Sequence, residues 1–193
     1  TSCYKQGKYL DSVYRFWFGG KESVLRWFKN GSRFDANIIH RFGSILSDAE
    51  TKNIDACVTN KTRFVAVIIL LDQMSRHIYR GNKKAFENDE KAVRLVKRHI
   101  HKYFKTMTAE EWMFVLLPFQ HSTKILDQFI GLRLIKLAKK IYPDNTLLKL
   151  SFKHHVGHLN VIQKFGRFPK RLPKHERTSE EQKYINKTPD LPY

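Results

Sequence analysis

Cysteine is scarce in this 193-residue chain, which contains only Cys3 and Cys57. Two cysteines exclude a disulfide framework, and without a Cys-x-x-Cys pair they provide neither a zinc site nor a redox motif. No apolar run reaches the length of about 18 residues that a transmembrane helix needs, so no membrane span is predicted. We therefore predict an intracellular protein of a reducing compartment.

Targeting, cofactor and metal motifs are equally sparse. The sequence begins at Thr1 rather than at methionine, which suggests that an N-terminal segment was processed, cut or left out. The predicted location is the cytoplasm, or an organelle after loss of a targeting segment. His154 and His158 have i, i+4 spacing on a helix, but no third ligand follows from the pattern. We expect no metal and no cofactor.

No segment alternates apolar and polar residues as an amphipathic strand does, and helical spacing recurs throughout the chain. The pattern predicts an all-α fold, in which antiparallel helix pairs arranged as an α-α superhelix bury the one-sided apolar faces. We predict a single helical domain over residues 1–166. Residues 167–193 hold four of the six prolines and are expected to form an irregular basic tail, packed on the domain or extending from it.

Acidic residues are few relative to basic ones. Thirty-six Lys and Arg oppose 18 Asp and Glu, which gives a net charge of +18 and a pI near 10.0. Such an excess attracts polyanions, namely nucleic acid, nucleotides or an anionic membrane. The alternative is a set of solvated basic faces without a specific partner.

A buried helix that ends in charged residues is the most distinctive local feature. Eight apolar residues, 64–71, lead directly into Asp72 and Gln73, and Arg76 and Arg80 follow at i+4 spacing from Asp72. On one helical face these groups would converge, and the two guanidiniums would form a fork for phosphate or carboxylate. The alternative is a buried tie-point between helices.

The candidates for proton transfer are His121 and His158, which would be catalytic residues only if the protein is an enzyme. His121 and Ser122 follow Pro118, where we expect a bend in the helix. An imidazole beside a hydroxyl can act as acid or base, although the sequence identifies no third group to orient it. Ordinary hydrogen-bonded histidines are the alternative.

Basic residues cluster near the C-terminus and on two earlier helices. Arg167 and Arg171 lie among phenylalanines, a pattern that can stack bases and hold phosphates or can anchor the tail to the core. We predict that both bind anions. The predicted nucleic-acid surface, which would contact phosphates and depend on salt, comprises Lys91, Arg94, Arg98, Lys105, Arg133, Lys136, Lys140, Lys170, Lys174 and Arg177.

Six blocks in order resemble one family. They are Phe16-Trp-Phe-Gly19, Leu70-Leu-Asp-Gln73 with Arg76 and Arg80, Ala85-Phe86 with Asp89, Leu117-Pro-Phe119 with His121-Ser122 and Gln128, His158, and Phe165-Gly-Arg-Phe-Pro169 with Arg171. This order is similar to the mainly bacterial domain-of-unknown-function family nine-two-four. The resemblance implies a tetratricopeptide-like α-α superhelix and a shared pocket, but no settled activity.

Three positions depart from the pattern of that family. Thr123 stands where a Glu is usual, Asn160 where an Asp is usual, and Leu172 where an Asn is usual. If the acids were catalytic in the family, this chain would be weakened or inactive as an enzyme. Our preferred hypothesis is therefore a non-catalytic anion-binding module that engages RNA or a ribonucleoprotein assembly. The alternatives are a hydrolase of a phosphorylated or nucleotide-like substrate and a structural scaffold subunit.

Overall fold

The structure is a computed structural model that describes residues 3–20, 22–28 and 31–188. All regular structure in these ranges is helical, which confirms the predicted all-α class. The α-helices are α1 (Cys3–Phe18), α2 (Ser23–Phe28), α3 (Asp35–Thr51), α4 (Lys61–Ile69), α5 (Ser75–Ile78), α6 (Asp89–Tyr103), α7 (Ala109–His121), α8 (Ile125–Ile141), α9 (Thr146–Phe165) and α10 (Ser179–Lys187). A π-helical turn, Leu70–Met74, joins α4 to α5.

The chain divides into two compact units, residues 1–115 and residues 116–193. The boundary falls inside α7, which runs through Pro118 to His121. Residues 167–188 belong to the second unit, together with α8 and α9. This division differs from the boundary between residues 166 and 167 predicted above.

In the first unit α1 packs against α4, and α3 packs against the π turn and α5. Aromatic side chains fill part of this core: Phe114 makes edge-on contacts with Trp17 and Trp27, at ring-centroid distances of 5.5 and 5.0 Å. The indole N–H of Trp27 donates to the carbonyl of Trp17 at 2.9 Å. Rigid aromatic packing of this kind stabilises the unit through apolar burial.

The predicted buried helix forms, but the π turn interrupts it. Its N-cap is Asn60, whose side chain accepts from the N–H of Arg63. Every residue from Phe64 to Asp72 is buried, as the apolar run predicted. The helix ends at Ile78, and Gly81 has a φ of 81°, a conformation that favours glycine. Arg80 therefore lies beyond the helical register that was predicted for it.

In the second unit α8 and α9 form an antiparallel pair. Asn145 caps the start of α9, and Gly166 ends it in the left-handed conformation with a φ of 67°. The two helices approach closely at Gly131, where the imidazole of His155 and the side chain of Phe119 occupy the space that a Cβ would need.

Gly131→Ala is expected to destabilise the protein by about 1–3 kcal/mol, because a well-packed site absorbs an added methyl only by shifting its neighbours. A Cβ at Gly131 would lie 2.6 Å from Phe119 Cβ and 3.2 Å from His155 Cδ2. The matched control is Gly43→Ala in α3, where a Cβ meets nothing within 4 Å. That change should stabilise by about 0.5–1 kcal/mol. Urea unfolding of both variants measures the difference, and equal effects would contradict the close approach.

The described part of the tail has regular structure. Two short 3₁₀ turns, Pro169–Arg171 and Lys174–Glu176, precede α10. Thr178 and Glu181 form the capping box that starts α10. Arg167 donates through Nε and Nη2 to Glu181, at 2.7 and 3.0 Å, and so fastens the start of the tail to α10.

Candidate functional site

The buried carboxylate Asp72 lies in the π turn and is paired inside the first unit. Arg76 Nη1 is 3.2 Å from Asp72 Oδ1 and 2.9 Å from Asp89 Oδ1, and Nη2 donates to Asp89 Oδ2 at 3.0 Å. The Gln73 amide donates to Asp72 Oδ2 at 2.5 Å. Burial lowers the pKa of Arg76, but the two carboxylates outweigh that effect and leave its pKa above the usual value.

Arg80 binds a different carboxylate. It donates through Nε and Nη2 to Asp35, at 2.5 and 2.9 Å, and His77 Nδ1 is 2.7 Å from the same group. The predicted convergence of Arg80 with Asp72 and Arg76 is therefore corrected, because α5 ends before Arg80. Each guanidinium already holds a carboxylate, so these contacts fit the tie-point alternative better than an anion fork.

Three histidines lie near one another in the second unit. His121 ends α7, and its ring centroid is 6.1 Å from that of His158 on α9. His158 Nδ1 is 2.8 Å from the carbonyl of His154, and His155 Nδ1 is 3.0 Å from that of Ser151. Burial, with a smaller effect from His121, lowers the pKa of His155 to about 4 and that of His158 to about 3. Both imidazoles are neutral at pH 7.

The hydroxyl beside His121 is bound to an acid rather than to an imidazole. Ser122 Oγ donates to Asp127 Oδ2 at 2.8 Å, and both residues are buried. The Gln128 amide donates to the carbonyls of Gln120 and Ser122, at 2.8 and 2.7 Å. These bonds tie the end of α7 to the start of α8. Sequence reasoning missed Asp127 and Gln120, and the five-residue spacing of Ser122 and Asp127 gave no recognised signal.

The predicted C-terminal arginines make internal contacts. Besides the pair between Arg167 and Glu181, Arg171 Nη2 donates to the carbonyl of His121 at 3.0 Å, and its guanidinium lies 4.4 Å from the Phe168 ring centroid. Arg167 holds the pKa of Glu181 down at about 2. These contacts match the tail-anchoring alternative. The family departures Thr123 and Asn160 are both exposed.

The predicted basic stripe on α6 makes several internal contacts. Lys91 Nζ donates to the carbonyls of Ala49 and Glu50 near the end of α3, at 2.5 and 3.2 Å. Arg98 pairs with Asp55, and Arg94 lies 3.7 Å from Glu90. Lys91 and Arg98 thus bind groups of their own unit, and their contact with nucleic acid stays a prediction. Lys105 remains exposed.

The stripe on α8 is different. Arg133, Lys136 and Lys140 are all exposed. Among the residues that the structure describes, no hydrogen bond or ion pair reaches their charged groups. The charge of this stripe is therefore available to a partner.

A cation-lined cleft lies along α10 and the 3₁₀ turn before it. Its volume is about 620 Å³, and its lining comprises Lys174, Arg177, Thr178, Ser179, Gln182, Lys183, Asn186 and Lys187. Four of these residues are cationic and none is acidic. Arg177 is fixed by its bonds to the carbonyl of Leu172 and to Gln182 Oε1, at 2.7 and 3.3 Å. We name this feature the basic cleft.

The lysines of the basic cleft have no partner in the part of the chain that the structure describes. Within the described ranges, no hydrogen bond or ion pair engages the amines of Lys174, Lys183 and Lys187. Lys170, also predicted to contact nucleic acid, lies 3.4 Å from the carbonyl of Thr188. Lys183 and Lys187 were not predicted, although their spacing on the last helix matched that of the other stripes.

The described residues show neither a metal-binding cluster nor a membrane-spanning helix. No group of three or more His, Cys, Asp and Glu side chains there is placed to hold a metal ion. No helix there is long and apolar enough to cross a membrane.

Fold and site together define an all-α protein in which the predicted arginines and buried histidines are engaged internally. In contrast, six surface cations of the second unit have no partner within the described ranges, namely Arg133, Lys136, Lys140, Lys174, Lys183 and Lys187. The chain belongs to the family described as bacterial protein of unknown function (DUF924), whose model matches residues 13–189. A solved structure of a protein of unknown function from Agrobacterium tumefaciens is similar, with a TM-score of 0.78 at 23% identity. The match covers 96% of this chain and 99% of that one. A comparison with curated proteins gave no match.

Proposed function

We propose that this protein is a non-catalytic, helical anion-binding module that engages RNA, alone or within a ribonucleoprotein assembly, through the basic cleft. The observation that carries the proposal is the lining of the cleft, which among the described residues contains four cations and no carboxylate. Cations gathered on one open surface attract phosphates without reading base identity. In this proposal the α8–α9 pair is one unit of a tetratricopeptide-like superhelix.

The charges inside the cleft favour a ligand over a structural role. Arg177 is held by a carbonyl and an amide oxygen, neither of which neutralises its charge. The three lysines lie on one side of α10 and on the preceding turn, and a single strand of phosphates can contact several of them at once. A scaffold subunit would need no such accumulation of like charge, which repels itself without a counter-ion.

The buried histidines weigh against the hydrolase alternative. His158 is only 2% exposed, and the Ser122 hydroxyl donates its hydrogen bond to Asp127 rather than to an imidazole. A nucleophile and its base must lie within hydrogen-bond reach of each other and of substrate. These side chains instead join α7, α8 and α9.

The test is fluorescence anisotropy of a labelled structured RNA with the full chain, titrated across salt. Lys174→Gln/Lys183→Gln/Lys187→Gln is expected to weaken binding by roughly tenfold and to reduce the slope of log K against log salt by about 2–3, because each lysine that contacts a phosphate contributes about one unit. Heparin serves as the nonspecific competitor.

The control variant is Lys83→Gln/Lys97→Gln/Lys102→Gln, which removes the same charge from exposed positions of the first unit. It should change the affinity less than twofold to threefold. Equal losses in the two variants would mean that only the overall field attracts RNA, and the proposal would fail. It would also fail if the affinity of the wild-type chain for RNA were no higher than its affinity for heparin.

A further inference from the structure

The outward surface of α8 combines large apolar side chains with cations. One side of the helix packs on its own unit through Asp127, Gln128, Gly131, Ile135 and Ala138. The opposite side exposes four apolar residues spread along the helix. Their exposed fractions are 72% for Leu126, 42% for Phe129, 39% for Leu137 and 44% for Ile141. Single exposed apolar residues are ordinary, but four on one face of one helix mark an interaction surface.

The cations Arg133, Lys136 and Lys140, which have no partner among the described residues, lie within this same face. They follow Leu126 and Phe129, occur once per turn in the second half of α8, and alternate there with Leu137 and Ile141. We call the seven residues the outer face of α8. The 17-residue helix is about 25 Å long, so the face is an extended strip rather than a point contact.

We propose that the outer face of α8 docks on an anionic phospholipid bilayer, with its apolar side chains inserted at the headgroup boundary and its cations on lipid phosphates. Leu and Phe together with Lys and Arg are the residues by which interfacial helices hold such surfaces. Nothing in this contact requires the helix to cross the membrane. The inference is independent of the basic cleft, which lies on α10 and the preceding turn.

The arrangement of charge favours lipid over a protein occupant. In a protein interface the charged residues are depleted from the core and lie at the rim. Here Arg133 and Lys140 lie four and three residues from Leu137, next to it on the helix surface, so a dry interface over Leu137 would bury them at high cost. At a headgroup layer the cations stay hydrated and meet phosphates while the neighbouring apolar side chains leave water. A second copy of the chain would add the same three cations and no carboxylate from this face, which disfavours a symmetric dimer.

The test is co-sedimentation of the full chain with phosphatidylcholine vesicles, with and without phosphatidylglycerol. Wild type should bind only the anionic vesicles. Arg133→Gln/Lys136→Gln/Lys140→Gln should weaken that binding by more than tenfold, because each cation near an anionic surface contributes severalfold. Leu126→Ser/Phe129→Ser should abolish the fraction that persists at high salt, since that fraction depends on insertion of apolar side chains.

The triple variant of the basic cleft, Lys174→Gln/Lys183→Gln/Lys187→Gln, is the matched control and should retain vesicle binding. Conversely, the cation variant of α8 should lose no more RNA affinity than the first-unit control variant. The proposal is overturned if wild type does not prefer anionic vesicles, or if the cleft variant loses as much vesicle binding as the α8 variant. It is also overturned if the α8 cation variant loses RNA affinity and keeps vesicle binding. A wild-type chain that sediments as a dimer, with α8 variants that sediment as monomers, would overturn it as well.

Discussion

Arg76→Met should lower the free energy of unfolding by about 3–5 kcal/mol, among the largest effects expected of any single substitution in this chain. Arg76 Nη1 lies within 3.2 Å of Asp72 and 2.9 Å of Asp89, and Asp72 is fully buried. Methionine fills most of the same volume but carries no charge. Two carboxylates would then face each other in the core without a cation. Urea unfolding at neutral pH measures the loss.

A charge-balanced variant separates the electrostatic effect from lost packing. Arg76→Met/Asp72→Asn/Asp89→Asn removes the cation and both carboxylates together, and should recover most of the lost stability because no uncompensated charge remains. Arg76→Lys is expected to recover less, since a single ammonium does not replace the two-sided guanidinium contact. The tie-point role would be refuted if Arg76→Met changed stability by less than about 1 kcal/mol.

Local signals in the sequence account for several helix ends of this protein. Thr108 and Glu111 form a capping box before α7, in which the Thr108 N–H donates to Glu111 Oε2 at 2.7 Å. Gly166 ends α9 in the left-handed conformation. These features depend on residues three or four positions apart, so the sequence contains all the information they need.

Long-range pairing could not be predicted in the same way. Asp35 binds Arg80 across 45 positions, and Asp55 binds His99 across 44. A π turn, Leu70–Met74, interrupts the α-helix around Asp72, and the apolar run contained no signal for it. The folded chain keeps the predicted spacing between Asp72 and Arg76, but the helix ends before Arg80.

The same limit applies to the surface charge. A net charge of +18 gives the excess of cations over anions, but it does not say which cations are paired. Lys91 and Lys140 look alike in the sequence, as basic positions of amphipathic helices. In the structure Lys91 binds the carbonyls near the end of α3, whereas Lys140 is exposed without an internal partner among the described residues. Only tertiary packing distinguishes a structural cation from one that a ligand can use.

Buried histidines make the stability of the fold depend on pH below neutrality. An unfolded histidine has a pKa near 6.5, whereas the pKa is about 4 for His155 and about 3 for His158 in the folded chain. Below pH 6.5 these histidines bind protons in the unfolded state but not in the folded state, so acid favours unfolding. Their stabilising effect is complete above the unfolded pKa and is lost progressively as the pH falls from there toward the folded values. The pKa values of His77, His99 and His154 are also lowered, which adds to the same trend.

His155 and His158 together should account for a loss of about 2.5 kcal/mol between pH ~7.5 and pH ~5.5, because each protonates in the unfolded state alone. The measurement is urea unfolding at several pH values across that range, where carboxylates remain ionised and do not contribute to the pH dependence. His155→Gln/His158→Gln should start less stable, because His155 packs against Gly131 and Ser151, yet its profile should be flatter by that amount. Parallel profiles for the two proteins would show that neither imidazole is held neutral by burial, and the histidines would then be accessible for proton transfer after all.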